Sequence, residues 1–215
     1  MKMLNPEQVA KQFGWELDYL TDGSPIFQCD KYYTFTSDSV KLAKFVDEEN
    51  IDTLVDFCSG SGIVGLEIIG RINTKNLVQF EIQKELAELS TYTNMFNNEK
   101  TNIVLHNTSL TDANKYVQNV DCVCCNPPYF KKGSGKINEQ VSKSIARHEI
   151  SVTLEDIIVS AKNILKTGGS LYFIHIMERQ NELIKLAKKY HFEVTKQEIL
   201  EGNKLRRFLI KLIKN

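Results

Sequence analysis

From about residue 37 onward, short apolar runs alternate with stretches of helical periodicity, and this alternation limits the possible folds more than any other feature. The apolar runs predict strands at residues 51–57, 77–81, 103–106, 121–125, 170–176, 192–200 and 205–213. The periodic stretches predict helices at residues 63–72, 83–97, 154–165 and 178–190. Repeated strand–helix units followed by a terminal hairpin predict an α/β fold, a doubly wound, Rossmann-like sheet of seven strands with helices on both faces. We expect the sheet to be mostly parallel, with an antiparallel hairpin at its C-terminal end.

The composition is that of a single globular domain. The chain has 215 residues, of which 42% are hydrophobic and 25% charged, enough for one sizeable core. No apolar run approaches the roughly 18 residues that span a bilayer, and residues 1–10 are too polar for a signal peptide. The five cysteines, an odd number, favour a reducing compartment over a disulfide framework. We therefore expect a cytoplasmic, monomeric protein without a membrane partner.

The formal net charge is zero, which excludes a uniformly basic nucleic-acid binder, but the charge is divided unequally along the chain. Residues 1–100 carry 9 basic and 16 acidic side chains, whereas residues 101–215 carry 18 basic and 11 acidic ones. This division suggests a neutral or acidic ligand on one side of the molecule and a polyanion on the other.

Three cysteines, Cys122, Cys124 and Cys125, include the spacing of a metal-binding pair. They lie in a predicted strand, in which Cys122 and Cys125 would point to opposite faces. No second pair or nearby histidine completes a tetrahedral site, so we predict buried cysteines and no metal.

A glycine-rich turn follows the first predicted strand of this sheet, where Gly60, Gly62 and Gly65 form G-x-G-x-x-G before a helix. In an open parallel sheet, ligands bind at the carboxyl ends of the strands, and there a glycine loop lets backbone approach a ligand closely. Glu81 ends the next strand, in position to bind ribose hydroxyls. Both S-adenosylmethionine and a nicotinamide dinucleotide satisfy these features. Asp56 favours S-adenosylmethionine, because a buried carboxylate is stabilised by an ammonium group and repels pyrophosphate. The N–H groups of the glycine loop are alternative partners for this carboxylate.

The most specific motif is Asn126-Pro127-Pro128-Tyr129, at the carboxyl end of the fourth predicted strand. The prolines remove two N–H donors and leave rigid carbonyls beside the Asn126 amide, so the loop is rich in acceptors. If the Asn126 oxygen and the Pro127 carbonyl accept the two N–H bonds of an exocyclic amine, its lone pair turns toward an electrophile. Tyr129 can stack on the face of an unpaired base.

These motifs resemble those of class I S-adenosylmethionine-dependent methyltransferases that act on exocyclic or amide nitrogens. Within that class the chain resembles the bacterial tRNA1(Val) adenine-37 N6-methyltransferases over nearly its whole length. The closer likeness lies in Phe35-Thr-Ser-Asp38, Asn126-Pro-Pro-Tyr-Phe130, Ala146-Arg-His-Glu149, Thr153-Leu-Glu-Asp156 and Lys166-Thr-Gly-Gly169. The resemblance implies N6-methylation of an adenine in tRNA, A37 in the anticodon loop of tRNA(Val).

The resemblance also implies roles for individual residues. Residues 1–36 would form a segment that closes the cofactor pocket, and residues 37–215 the methyltransferase domain. Predicted contacts to S-adenosylmethionine are Phe35, Thr36, Asp38, Asp56, Cys58, Gly60, Gly62, Glu81, Ile82, Thr108, Ser109 and Asn126. Asn126, Pro127, Pro128 and Tyr129 would hold the target adenine. One departure is that the third strand ends in Asn107-Thr108-Ser109, where these enzymes often carry an aspartate for the cofactor adenine.

We call Asn126-Pro127-Pro128-Tyr129 the acceptor loop. Basic residues after this loop and near the C-terminus predict a surface that binds RNA phosphates. The predicted RNA contacts are Lys131, Lys132, Lys136, Arg147, His148, Lys204, Arg206 and Arg207. Transfer from a sulfonium depends mostly on positioning, so no general base is required, and His148 is better explained as a structural or RNA-facing residue than a catalytic one.

Two kinds of alternative remain open from the residues. One is a methyltransferase of the same fold that acts on a protein glutamine amide, a guanine N2 of ribosomal RNA, or DNA adenine. The other is an NAD-binding oxidoreductase or a nucleotide-binding module without catalytic activity.

Overall fold

The structure, a computed structural model, describes residues 5–32, 34–97, 99–128, 152–201 and 206–215. Its strands are β1 (Glu16–Tyr19), β2 (Pro25–Gln28), β3 (Asn50–Phe57), β4 (Asn73–Phe80), β5 (Asn102–His106), β6 (Val120–Cys125), β7 (Leu165–Ile176), β8 (Phe192–Leu200) and β9 (Arg207–Lys214). The α-helices of the described part are α1 (Pro6–Phe13), α2 (Ser37–Phe45), α3 (Ile63–Ile69), α4 (Lys84–Met95), α5 (Leu154–Ile164) and α6 (Gln180–Lys189). Short 3₁₀ helices span Leu110–Lys115 and Met177–Arg179.

Seven strands form one sheet in the order β5-β4-β3-β6-β7-β9-β8. The first five strands of this order pair in parallel, whereas β9 pairs antiparallel with both β7 and β8. This confirms the predicted mostly parallel sheet with a C-terminal antiparallel hairpin. The chain runs outward from β3 to β5 and then returns to β6 beside β3, so the strand order reverses between β3 and β6. The carboxyl ends of these two strands therefore mark the expected ligand crevice.

The apolar residues of the sheet divide between two cores because successive side chains of a strand alternate in direction. Phe57 and Cys125 lie in the core covered by α5 and α6, while Leu54 and Cys122 lie in the core covered by α2 and α3. Cys122 and Cys125 thus point to opposite faces, as predicted. Both are fully buried, and burial raises the pKa of each thiol well above its usual value. No helix of the described residues is long and apolar enough to cross a bilayer.

The start of β7 differs from the prediction. The helix α5 ends at Ile164, and β7 begins at once with Leu165, five residues before the predicted start of this strand at residue 170. The register with β6 is irregular between Val120 and Cys122, and Gly168 has φ 78° there, a backbone conformation that glycine adopts without strain.

An N-terminal helix and hairpin, which the sequence pattern did not predict, precede the sheet. The helix α1 and the two-stranded sheet of β1 and β2 pack on α4 through an apolar cluster. Trp15 lies within 6 Å of three aromatic rings, stacked on Phe13 and tilted or edge-on to Phe27 and Tyr92. The segment is therefore anchored to the main sheet through α4. Closure of a cofactor pocket by residues 1–36 stays a prediction.

Candidate functional site

The glycine loop between β3 and α3 owes its shape to two glycines with different constraints. Gly62 has φ 90°, and a Cβ added there would lie 2.6 Å from Nε2 of Gln79. Gln79 belongs to β4, and its side chain is buried. Gly65 lies in α3 with an ordinary φ, but a Cβ there would lie 2.8 Å from Leu77 Cδ1. The first glycine is needed for the turn and the second for close packing of helix on strand, whereas the approach of the loop to a ligand stays a prediction.

Cys58 begins the same loop in the left-handed region, with φ 56°. This conformation is uncommon for a residue with a Cβ, and strained backbone of this kind clusters at ligand sites. Cys58 is partly exposed and packs against the core that contains Cys125. Its contact with the methionine part of the cofactor stays a prediction.

The carboxylate of Asp56 lies beneath the loop and is only 1% exposed. Its Oδ2 accepts a hydrogen bond from the Gly65 N–H at 2.9 Å, and its Oδ1 accepts one from the Cys124 thiol at 3.5 Å. Burial raises the pKa of Asp56 to about 7, opposed by the Gly65 N–H, and the nearby charge of Glu81 raises it further. The alternative partner, N–H groups of the glycine motif, is therefore present, and an ammonium group would act on Asp56 in addition to it.

This raised pKa predicts a dependence of stability on pH. A carboxyl whose pKa is higher in the folded state stabilises the fold below its unfolded pKa of 3.8, and this contribution is lost as pH rises through about 7. The shift corresponds to a decrease in the free energy of unfolding on the order of 4 kcal/mol between pH 4 and pH 8. Urea unfolding of the wild type and of Asp56→Asn should show the wild type losing stability relative to the variant across this range. Other titrating groups are common to both proteins, so a constant offset between the two curves would contradict the prediction.

Glu81 follows β4 and closes the loop from the neighbouring strand. Its Oε2 accepts from the Gly60 N–H and its Oε1 from the Gln83 N–H, both at 2.8 Å. The contact of this carboxylate with ribose hydroxyls stays a prediction. The two bonds fix the carboxylate in place, while the adjoining Ile82 side chain is 44% exposed at the same edge.

The polar side chains that follow β5 form hydrogen bonds with neighbouring residues of the protein. Asn107 Nδ2 donates to the Glu81 and Ile82 carbonyls at 2.8 and 3.2 Å, which ties this loop to the end of β4. Ser109 caps the following 3₁₀ helix by accepting from the Thr111 N–H, and Thr108 Oγ1 lies 3.4 Å from Asp112 Oδ2. The predicted cofactor contacts at Thr108 and Ser109 thus already have intramolecular partners, and their role toward a ligand stays a prediction.

The first turn of α2 brings a second group of predicted residues to the crevice. Thr36 is the N-cap and its Oγ1 accepts from the Asp38 N–H, while the Phe35 N–H donates to Gln28 Oε1. Asp38 is buried, and its Oδ2 lies 2.9 Å from Nε of Arg207 at the start of β9. The guanidinium of Arg207, a predicted RNA contact, therefore forms an ion pair with a predicted cofactor contact, and its side chain is only 20% exposed.

The acceptor loop leaves the carboxyl end of β6, in the strand position next to β3. Asn126 is partly buried, and its Nδ2 donates to Ser39 Oγ on α2 at 3.0 Å. Pro127 is buried and Pro128 exposed. Tyr129 lies outside the described residues, so its stacking on a base stays a prediction.

Most of the predicted RNA contacts also lie outside the described residues, namely Lys131, Lys132, Lys136, Arg147, His148 and Lys204. Arg206 is described, and its Nη2 lies 2.9 Å from Glu201 Oε1 in an exposed ion pair. Exposed pairs of this kind are weak, so the Arg206 guanidinium remains able to exchange partners with a phosphate.

The charges at this edge fit a cationic ligand. Three buried carboxylates, Asp38, Asp56 and Glu81, lie at the crevice, and the described ion pair that reaches them is the one between Asp38 and Arg207. Ser59 Oγ in the loop is also buried, without a hydrogen-bond partner among the described residues, so it has donor and acceptor capacity for a ligand. The residues therefore fit a ligand with an ammonium or sulfonium group and hydroxyls, whereas a pyrophosphate would meet negative charge.

Two residues of the site were not identified from the sequence. Ser39 contacts Asn126 across a chain separation of 87 residues, and Gln79 lies against Gly62 while accepting from Ser90 Oγ and Asn94 Nδ2. A glutamine within a short apolar run, Leu77-Val-Gln-Phe80, is a signal for Gln79, because a buried polar group needs polar partners.

The family model described as "Methyltransferase small domain" matches residues 36–199, which is more than half of the chain. A curated protein of Aliivibrio salmonicida, named tRNA1(Val) (adenine(37)-N6)-methyltransferase, is 25% identical over 181 residues, covering 82% of this chain and 76% of its own length.

Two solved structures share the fold. TrmN from Thermus thermophilus superimposes with a TM-score of 0.63 at 16% identity, covering 82% of this chain and 48% of its own, so this chain spans about half the length of that protein. TYW2 from Pyrococcus horikoshii, solved in complex with MeSAdo, gives a TM-score of 0.64 at 14% identity over 96% of this chain and 80% of its own.

Proposed function

Because the chain belongs to the methyltransferase small domain family, we propose that it transfers a methyl group from S-adenosylmethionine to N6 of an adenine in tRNA, A37 in the anticodon loop of tRNA(Val). One observation carries this proposal: Asn126-Pro127-Pro128 leaves β6 directly beside the glycine loop that leaves β3. An acceptor site and a cofactor site thus adjoin at the reversal of strand order. The name of the Aliivibrio relative supports the choice of tRNA and of adenine 37.

The cofactor supplies an electrophilic methyl group on a sulfonium when bound. Asp56 and Glu81 lower the energy of a cationic ligand at the loop, and Gly60 and Gly62 let the loop backbone approach it. Glu81 accepts from the ribose hydroxyls. Phe35, Thr36 and residues 1–36 as a whole close this side of the crevice, and residues 37–215 form the catalytic domain.

The acceptor adenine presents its exocyclic amine to Asn126 and to the carbonyl of Pro127. Accepting the two N–H bonds draws the nitrogen lone pair out of the ring plane, toward the methyl group. Catalysis then consists of orientation and of polarisation of the nucleophile, and the proton leaves to water after transfer. Tyr129 stacks on the base and holds it unpaired.

The proposal assigns the tRNA backbone to the basic segment after the acceptor loop. Charge reversal of Lys131 and Lys132 should weaken tRNA binding and make its dependence on salt shallower, since each phosphate contact contributes nearly one unit to the slope of log K against log salt concentration. Filter binding from about 50 to 200 mM salt measures this slope. Reversal of Lys75, an exposed lysine of β4 outside the segment, is the control that should leave the slope unchanged. A slope that stays the same in the double variant would remove Lys131 and Lys132 from the interface.

The function itself is tested by incubating the protein with labelled S-adenosylmethionine and bulk tRNA, ribosomal RNA or DNA, followed by mass spectrometry of the nucleosides. N6-methyladenosine in the tRNA fraction alone is the expected result. Methylguanosine from ribosomal RNA, methyladenine in DNA or labelling of protein would place the acceptor elsewhere. Tight binding of NAD with no binding of S-adenosylmethionine or S-adenosylhomocysteine in calorimetry would reject a methyltransferase altogether.

A further inference from the structure

We propose that Ser39 is a positioning residue, which holds the Asn126 amide so that its carbonyl oxygen faces the amino group of the acceptor base. The proposal rests on the proposed function, in which Asn126 accepts a hydrogen bond from that amino group. It concerns a helix residue distant in sequence from the acceptor loop.

The contact is direct and partly buried. Asn126 Nδ2 donates to Ser39 Oγ at 3.0 Å, and Ser39 is only 1% exposed. A primary amide carries its donors and its acceptor at opposite ends, so an anchor at the nitrogen determines what the other end presents. With the amide turned over, an NH₂ group would face the NH₂ group of the base, and two donors would meet. In the structure the nitrogen lies on Ser39, which is the orientation that the reaction needs.

The anchor of the amide nitrogen comes from outside the acceptor loop. Pro127 and Pro128, which follow Asn126 directly, have no N–H group to offer to the amide oxygen or to the base.

Ser39 is in turn held by the first turn of α2. Its N–H donates to the carbonyl of the N-cap residue Thr36 at 3.0 Å. The adjoining Asp38 forms the buried ion pair with Arg207 of β9. Ser39 thus belongs to a helix turn that is held by its own backbone hydrogen bond and by β9 rather than by the acceptor loop.

The test is a single-turnover measurement on tRNA with the enzyme in excess. Ser39→Ala should slow methyl transfer roughly ten-fold, the effect of losing one orienting hydrogen bond, and leave the dissociation constant of S-adenosylmethionine within about two-fold. Ser39→Thr retains a hydroxyl and should restore most of the rate. Ser160→Ala removes a buried serine hydroxyl from α5, outside the site, and should leave the rate unchanged.

The outcomes separate this proposal from the one on which it rests. If the wild type transfers no methyl group to tRNA, the proposed function fails. If the wild type is active and Ser39→Ala is as fast, the positioning role is overturned. It is also overturned if Ser39→Ala weakens cofactor binding as much as it slows transfer and unfolds at a lower temperature, because Ser39 would then act on stability alone. Should the extra methyl group prevent Ser39→Thr from folding, Ser39→Cys, a near-isostere with a weak acceptor, must give a rate between those of serine and alanine.

Discussion

Replacing Asn126 with alanine should lower the rate of methyl transfer at least about 100-fold, the usual cost of deleting one preorganised polar group at a reacting centre. The variant loses the acceptor that polarises the amine, together with the hydrogen bond to Ser39. The affinity for S-adenosylmethionine should stay within a few-fold of the wild type, because the cofactor is proposed to be held mainly by the residues at the carboxyl ends of β3 and β4. Pre-steady-state transfer and equilibrium titration of the cofactor measure the two effects separately.

A matched control for this variant is Asn114→Ala, which removes an exposed asparagine from the 3₁₀ helix Leu110–Lys115. It should leave both the rate and the affinity unchanged. Near-normal transfer by Asn126→Ala would show that the acceptor base binds elsewhere. A large loss of cofactor affinity would mean that Asn126 belongs to the cofactor site more than to the acceptor site.

Replacing Gly62 with alanine should lower the free energy of unfolding by roughly 3 kcal/mol and abolish cofactor binding, because left-handed strain and overpacking act together there. The new Cβ would lie 2.6 Å from Gln79 Nε2 and 3.2 Å from Ser90 Oγ. Gln79 is fully buried and held by Ser90 and Asn94, so it has little room to move away. The loop must then change shape, and the N–H groups that line the ligand side change with it.

The control for the backbone strain is Gly168→Ala, because Gly168 has φ 78° but open space where a Cβ would stand. This variant should lose only about 1 kcal/mol, the cost of a left-handed residue with a side chain, and bind the cofactor normally. Chemical unfolding and cofactor titration compare the two variants. Equal losses of stability would show that the contact with Gln79 adds nothing to the strain.

The sheet could be predicted from the sequence because its signals are local. The strand predicted at residues 51–57 corresponds to β3 (Asn50–Phe57), and the strand predicted at residues 192–200 corresponds to β8 with the same bounds. The rule that ligands bind at the carboxyl ends of parallel strands also pointed to the glycine loop and to Asn126. That the two lie side by side follows from the strand order, which the sequence did not predict.

The N-terminal hairpin was missed because β1 and β2 have only four residues each, too few for an alternating pattern to stand out. Residues 21–24, Thr-Asp-Gly-Ser, contain an Asp-Gly pair that favours a turn and could have indicated a hairpin. The apolar partners of this segment on α4 come from far along the chain.

The pairings within the site could not be predicted, because nothing in the sequence states which distant side chains meet. Asp38 and Arg207 were assigned to different ligands, although they form an ion pair with each other. The hydroxyl of Ser109 was expected to contact the cofactor, although as the cap of a short helix it already accepts a backbone hydrogen bond. Polar residues have several possible partners, and only the tertiary structure selects among them.

The ion pair between Asp38 and Arg207 has a consequence for how the protein matures during synthesis. The ribosome releases α2 and the glycine loop early, whereas β9, which carries Arg207 and is inserted between β7 and β8, emerges after every other strand of the sheet. Until then, the first turn of α2 lacks the ion pair between Asp38 and Arg207. A nascent chain can therefore complete most of its sheet before this pair forms, and this edge of the crevice is assembled last.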